Sequence, residues 1–180
     1  MLLMIQISMK HIDSNKKIIV DADVIIHFSK GGQLFLLPGI YPNRICIVKD
    51  VFLEVFKGSL RTELERMIQM KLIEELNFSG DFEVIKEYAR LKRMFGAGES
   101  ACMAYCKFHR DVLASSNLKD IKDYCMENEI TYLTTMDFLN AAFERKLLNE
   151  AACNSFISDV LSKGSKLPFK TLADFRMSLS

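Results

Sequence analysis

Three carboxylates in this chain stand where carboxylates are costly. Asp21 ends the β-branched run Lys17-Ile18-Ile19-Val20-Asp21. Glu54 interrupts the apolar stretch Val51-Phe52-Leu53-Glu54-Val55-Phe56, and Glu99 follows Gly96-Ala97-Gly98. A buried carboxylate needs a cation, a hydrogen-bond network or a metal, and converging carboxylates raise one another's pKa. A divalent cation removes that conflict. Hard oxygen ligands favour Mg²⁺ or Mn²⁺, which keep waters and take up phosphate oxygens, so the set suits activation of water against a phosphodiester. Singly, each acid has a simpler role: Asp21 as a helix cap, Glu54 as a solvated helix residue, Glu99 as a first-turn acid on a helix dipole. Only the ordered set points to chemistry.

The elements that must position these acids follow from hydrophobic patterning. Ile18–Asp21, Arg44–Val48, Asp111–Ser115 and Ile130–Leu133 read as short buried strands, continuous in apolar residues as parallel strands are. Between them the helical period predicts helices over Val24–Leu37, ending at Pro38-Gly39, and over Lys49–Phe56, Leu60–Met70 (capped by Ser59), Phe82–Phe95, Glu99–His109, Leu118–Asn128, Met136–Leu147 and Glu150–Leu161. Leu72–Phe78 fits either type. Strands alternating with helices predict an α/β fold, three layers α/β/α around a mostly parallel sheet. Ligand sites in such folds gather outside the carboxyl ends of the strands, where Asp21 falls. Residues 1–163 read as one domain and 164–180 as a loosely packed C-terminal tail.

Composition bounds the function classes. The 180 residues carry 24 Lys and Arg against 23 Asp and Glu, so no global field draws the chain to a polyanion and any such partner must meet a local patch. Lys30, just after Asp21, and Arg90, Lys92 and Arg93, just before Glu99, are the basic residues able to steer a phosphate backbone; their plainer role is a solvated helix face. The five cysteines are scattered, with no CxxC pair and only three histidines, which argues against a zinc site or disulfide framework and for a reducing cytosol. Cys102 and Cys106, one helical turn apart, read as core. Nothing approaches the roughly 20 apolar residues of a membrane span, and apolar Met1–Met9 lacks the basic start of a secretory signal.

The residues Val20-Asp21-Ala22-Asp23-Val24-Ile25-Ile26, then Glu54, then Gly96-Ala97-Gly98-Glu99-Ser100 resemble the PIN domain family. The Gly-x-Gly-Glu-Ser form is similar to the subgroup with Glu at that place. The resemblance runs from about Ile18 to Leu147. It implies a three-layer fold, acidic binding of Mg²⁺ or Mn²⁺, and cleavage of single-stranded or structured RNA, with Asp21, Glu54 and Glu99 as catalytic metal ligands and Asp23 beside them. Many members are toxin ribonucleases of the VapC type, which implies a small antitoxin partner and a homodimer.

One departure matters. The family carries a further acid after its fourth strand, and here that stretch is Ser115-Ser116-Asn117-Leu118-Lys119-Asp120. Ser116 or Asn117 can ligate through oxygen, and Asp120, one turn on, is a further candidate ligand whose plainer role is a first-turn helix acid. Asp137 after the last strand reads, with Thr135, as a helix cap. The weakened stretch favours a rival reading, a PIN-like module that binds without cleaving. A second rival is a haloacid dehalogenase-like phosphatase with Asp21 as nucleophile and Asp23 as acid. It lacks the late paired acids, and Ile25 matches its pattern weakly. Gly96-x-Gly98 lacks the strand and third glycine of a dinucleotide fingerprint.

Overall fold

In the computed structural model, residues 12–49, 51 and 58–179 are described. The central sheet is built from β1 (Ile18–Val20), β2 (Ile45–Val48), β3 (Glu74–Leu76), β4 (Val112–Ala114) and β5 (Tyr132–Leu133), in the order β3-β2-β1-β4-β5. Every pairing is parallel, with Ile18 against Ile45 on one side and against Val112 on the other. A sheet covered on both faces needs apolar residues on both sides of each strand, and Ile18, Ile19, Val20, Ile47 and Val48 are fully buried. This is the α/β, three-layer architecture expected from the alternation of strands and helices.

One helical layer contains α1 (Ala22–Lys30), α2 (Leu37–Ile40), α7 (Thr135–Glu144), α8 (Glu150–Ser162) and α9 (Leu172–Met177), which pack on one another. The opposite layer holds α4 (Phe82–Leu91), α5 (Ala97–His109) and α6 (Leu118–Glu127), with α5 lying on β1, β2 and β4. Helix α3 (Gly58–Gln69) precedes β3. Helix α5 is buried nearly all round, from Gly98 and Ser100 to Cys106. Its small side chains let it settle between the sheet and α4, with Cys102 and Cys106 in the core.

Several expected boundaries moved. The first helix stops at Lys30, where Gly31 and Gly32 follow, rather than at Pro38-Gly39. Gly32 takes φ +69°, a conformation open to glycine at no cost. Gly31 has no room for a Cβ, which would overlap the buried Phe156 ring. Pro38 instead sits in the first turn of α2, where its missing N–H costs nothing. Ser59 lies inside α3 rather than capping it. The ambiguous 72–78 stretch supplies edge strand β3, whose exposed Glu74 and Glu75 blunt further pairing. Residues 164–179 are not loose. Leu172 is fully buried, its N–H donates to Asn154 Oδ1 at 2.9 Å, and Arg176 reaches Asn140 and Glu144. The amphipathic spacing of Leu172 and Phe175 accounts for this packing. The helix expected over Lys49–Phe56, with Glu54 in it, falls outside the described residues except for 49 and 51, as does Met1–Met9. Among the described residues, no helix is long and apolar enough to cross a membrane.

Candidate active site

The strand order reverses between β1 and β4: the chain proceeds from β1 outward through β2 to β3, then returns to β4 and β5. In doubly wound sheets the crevice outside the strand ends at this switch point is where ligands bind. Asp21 follows β1 and Ser115–Asn117 follow β4, so both loops open into that crevice. The Asp21 N–H donates to Ala114 O at 2.8 Å, which carries the β1–β4 pairing one step past the strands. Asp21 is 6 % exposed and N-caps α1, its Oδ1 accepting from Ala22 N at 2.7 Å.

Asp23 ties α1 to the loop after β4. Its Oδ1 accepts from Val24 N at 2.6 Å, and its Oδ2 accepts from Ser116 N at 2.7 Å and Ser115 Oγ at 3.4 Å. Burial raises this carboxyl above the ordinary aspartate range while those hydrogen bonds pull it down. Ser116 continues the link: its Oγ lies 2.8 Å from Thr135 Oγ1 and accepts from Thr135 N at 2.9 Å. Thr135 Oγ1 is in turn 2.8 Å from His27 Nδ1. Burial, with help from the Lys30 charge, pushes His27 down to about 4, so the imidazole is neutral. A hydrogen-bonded chain thus runs from Asp23 through Ser116 and Thr135 to His27, joining α1, the β4 loop and the start of α7.

Glu99 lies in the first turn of α5, whose N-cap, Gly96, offers no side-chain acceptor. A helix N-terminus favours a partly buried carboxylate by at most about 2 kcal/mol, roughly one and a half pKa units. The opposing effects win. Burial comes first, followed by the negative neighbours Asp21, Asp120 and Asp23, and together they push Glu99 up to about 8. Asn117 Nδ2 donates to Glu99 Oε1 at 3.1 Å and to Asp120 Oδ2 at 2.7 Å, holding the two acids to one amide.

The fold therefore brings Asp21, Asp23, Glu99, Ser116, Asn117 and Asp120 to one place. Glu54 lies outside the described residues. Lys30 ends α1, eight residues beyond Ala22, or about 12 Å along the axis. Its Nζ donates to Ser165 Oγ at 2.8 Å, so it braces the C-terminal segment instead of joining the acids. Arg93 lies in the turn between α4 and α5, on a separate cleft. Asp137 forms a capping box with Thr134, its neighbour Thr135 being the one drawn into the hydrogen-bonded chain. Thr135, read from sequence as a helix cap, leaves that role to Thr134, and His27 was missed by sequence reasoning, although a lone histidine inside Ile25-Ile26-His27-Phe28 signals a buried polar group in need of a partner.

Among the described residues, no group of three or more His, Cys, Asp or Glu side chains is arrayed to hold a metal ion. The acids are crowded enough to perturb Glu99, and the Asn117 amide bridges Glu99 and Asp120. No family model, curated protein or solved structure matches the chain, so the functional reading rests on the residues themselves.

Proposed function

We propose that the chain is a PIN-like, Mg²⁺- or Mn²⁺-dependent ribonuclease whose site is the acid cluster at the β1/β4 switch point. The observation that carries the reading is the gathering of Glu99 with Asp21, Asp120 and Asp23 at the strand ends, where burial first and then the like charges raise Glu99 to about 8. Like charges gathered at this cost are what a divalent cation relieves. The donor set fits such an ion in kind: Asp21, Glu99 and Asp120 offer hard carboxylate oxygens. When bound, the ion supplies Lewis acidity and an activated water at a phosphodiester. The chain's own part is to hold that site in place. Asp23, through Ser116 N and Ser115 Oγ, fixes the β4 loop against α1. Asn117 aligns Glu99 with Asp120.

The same reading carries RNA as substrate and, in its toxin form, a small antitoxin protein and a homodimer. It also carries a cytosolic setting, which suits five buried, unpaired cysteines. One observation favours a second reading, a module that binds without cleaving: Asn117 already satisfies Glu99 and Asp120 with a neutral amide. The phosphatase alternative is weaker, because Asp23 is committed to backbone and serine donors and is poorly placed to protonate a leaving group.

Cleavage of labelled single-stranded RNA in Mn²⁺, with Mn²⁺ binding followed by calorimetry, tests the reading. Wild type is expected to bind and cleave, and Asp21→Asn to lose both. Wild type that binds no Mn²⁺ at millimolar levels, with Asp21→Asn unchanged from it, sinks the nuclease.

A further inference from the structure

A second polar constellation lies away from the acid cluster, where α4 packs on α5. Its centre is Glu87, 8 % exposed although charged. Glu87 accepts from Arg90 Nε and Nη2, each at 2.8 Å, from Lys107 Nζ at 3.0 Å and from Tyr124 Oη at 2.8 Å. The Arg90 guanidinium first, then Lys107 and Tyr124, hold the carboxyl down to about 2 against burial. Glu87 is therefore a fixed anion that pins two cations in place. The Arg90 side chain remains 52 % exposed and that of Lys107 31 %.

These two cations line a cleft of about 520 Å³ together with Lys86, Arg93 and Phe108. Lys86 and Arg93 are exposed and make no ion pair or hydrogen bond through their side chains among the described residues. Glu83 and Glu87 are the cleft's acids, so cations outnumber carboxylates four to two. Phe108 is 40 % exposed, and Lys107 Nζ lies 5.6 Å from its ring centre. Fixed cations beside an exposed aromatic ring are the pairing that single-stranded nucleic acids use, with phosphates on the cations and a base on the ring. An acidic peptide would use the cations but has no need of the ring.

We infer that the α4–α5 cleft binds the sugar-phosphate backbone of single-stranded RNA, with Arg90, Lys107, Lys86 and Arg93 on phosphates and Phe108 beneath a base. This rests on the ribonuclease reading for the identity of the ligand. Glu99 and Lys107 are eight residues apart on the same helix, about 12 Å along its axis. Residues 100–106 of α5 are buried, so a strand that reaches both sites passes over the elements covering that helix, and the cleft is near enough to the acid cluster to hold one part of a strand while another part enters it. Arg90 and Lys107 come to the ligand already ordered by Glu87, which lowers the entropy lost on binding.

The test is fluorescence anisotropy of a labelled 12-nucleotide single-stranded RNA in EDTA, where no cleavage occurs, across a salt series. Wild type is compared with the double variant Lys86→Glu/Arg93→Glu and with Phe108→Ala. Both changes are at exposed side chains, and circular dichroism verifies the fold. Wild type is expected to bind with a steep salt dependence. Removing two phosphate contacts should flatten the slope of log K against log salt by about 1.4 and weaken binding at least tenfold. Phe108→Ala should weaken it severalfold with the slope unchanged. RNA binding that the double variant leaves intact overturns the cleft while leaving the nuclease reading standing. No binding by wild type at low salt also overturns it. Displacement of the RNA by a poly-glutamate peptide of equal charge, as effective as unlabelled RNA, overturns it in favour of an acidic protein partner. Binding that follows the cleft variants, with no Mn²⁺-dependent cleavage by wild type, supports the cleft and removes the nuclease.

Discussion

Asn117 donates its side-chain amide to Glu99 Oε1 across 3.1 Å, and the same nitrogen reaches Asp120 Oδ2 at 2.7 Å. A neutral donor thus occupies the ground between two acids where a cation would bring more energy. The side chain also belongs to the Ser115–Asp120 stretch in which the resemblance led us to expect a further acid. Asn117→Asp is therefore expected to tighten Mn²⁺ binding by about tenfold or more. It should lower the thermal midpoint in EDTA, since another anion joins the cluster with nothing to offset it. Calorimetry with and without metal reads both changes, and unaltered affinity would mean that residue 117 does not face the ion.

Glu99 gives the metal-free protein a pH signature. Its carboxyl titrates near 8 in the folded chain against an ordinary value of 4.5. The unfolded chain therefore releases this proton first, and between about pH 4.5 and 8 it binds fewer protons than the folded one. Stability from this group then falls as pH rises through that window and is unaffected below it. Glu99→Gln removes the effect. Its thermal midpoint should match wild type at pH 4 and exceed it at pH 8, by about 2–4 °C for each kcal/mol relieved. A difference that stays constant with pH would argue against the crowding.

Metal binding should show the same group from the other side. An ion that takes Glu99 as a carboxylate must displace its proton. Apparent Mn²⁺ affinity should then rise about tenfold per pH unit below 8 and level off above it. Proton release on titration, measured in buffers of different ionisation enthalpy, checks this independently of any activity.

His27 works in the opposite sense. It titrates near 4 in the fold and 6.5 outside it, so the unfolded chain takes up the proton first as pH falls. Stability is fully present above about 6.5 and drains away between 6.5 and 4. His27→Gln should flatten that acid limb. Thr135→Val would leave His27 Nδ1 and Ser116 Oγ each short of a partner and should cost about 1–3 kcal/mol at neutral pH. Chemical denaturation at pH 7 and pH 5 separates the two variants, and a Thr135→Val protein as stable as wild type would dissolve the proposed link.

Ser100 is fully buried, and its Oγ has no hydrogen-bond partner among the described residues. An orphaned hydroxyl is a liability. Ser100→Ala is expected to be neutral or stabilising by about 1 kcal/mol in urea unfolding. A clear loss of stability would show that the hydroxyl has a partner after all.

The strands were legible because burial on both faces writes itself as unbroken apolar runs, as in Ile18-Ile19-Val20 and Ile45-Cys46-Ile47-Val48. Edge strand β3 was not, since Glu74 and Glu75 answer to solvent and carry no strand pattern. Asp21 and Glu99 were legible as acids at element ends, whereas Asp120 read more simply as a first-turn helix acid. Their mutual arrangement depends on Asn117, which stands at the N-cap position of α6 but makes no side-chain cap hydrogen bond. The tie between Lys30 and Ser165 was out of reach, because it joins segments related only through the docking of α8 and α9. The Glu87 hub escaped for a similar reason: Arg90 is a local neighbour, but Lys107 and Tyr124 arrive from other helices.

Strand β1 lies between β2 and β4, so its second edge is completed only by Val112–Ala114. A ribosome making this chain exposes Asp21 early, yet Glu99, Asn117 and Asp120 emerge much later, and the sheet cannot close around β1 until β4 has left the exit tunnel. Half-made chains consequently carry Asp21 without the rest of its cluster. If the crevice cuts RNA, the nascent polypeptide stays harmless to the message that encodes it through most of its own translation.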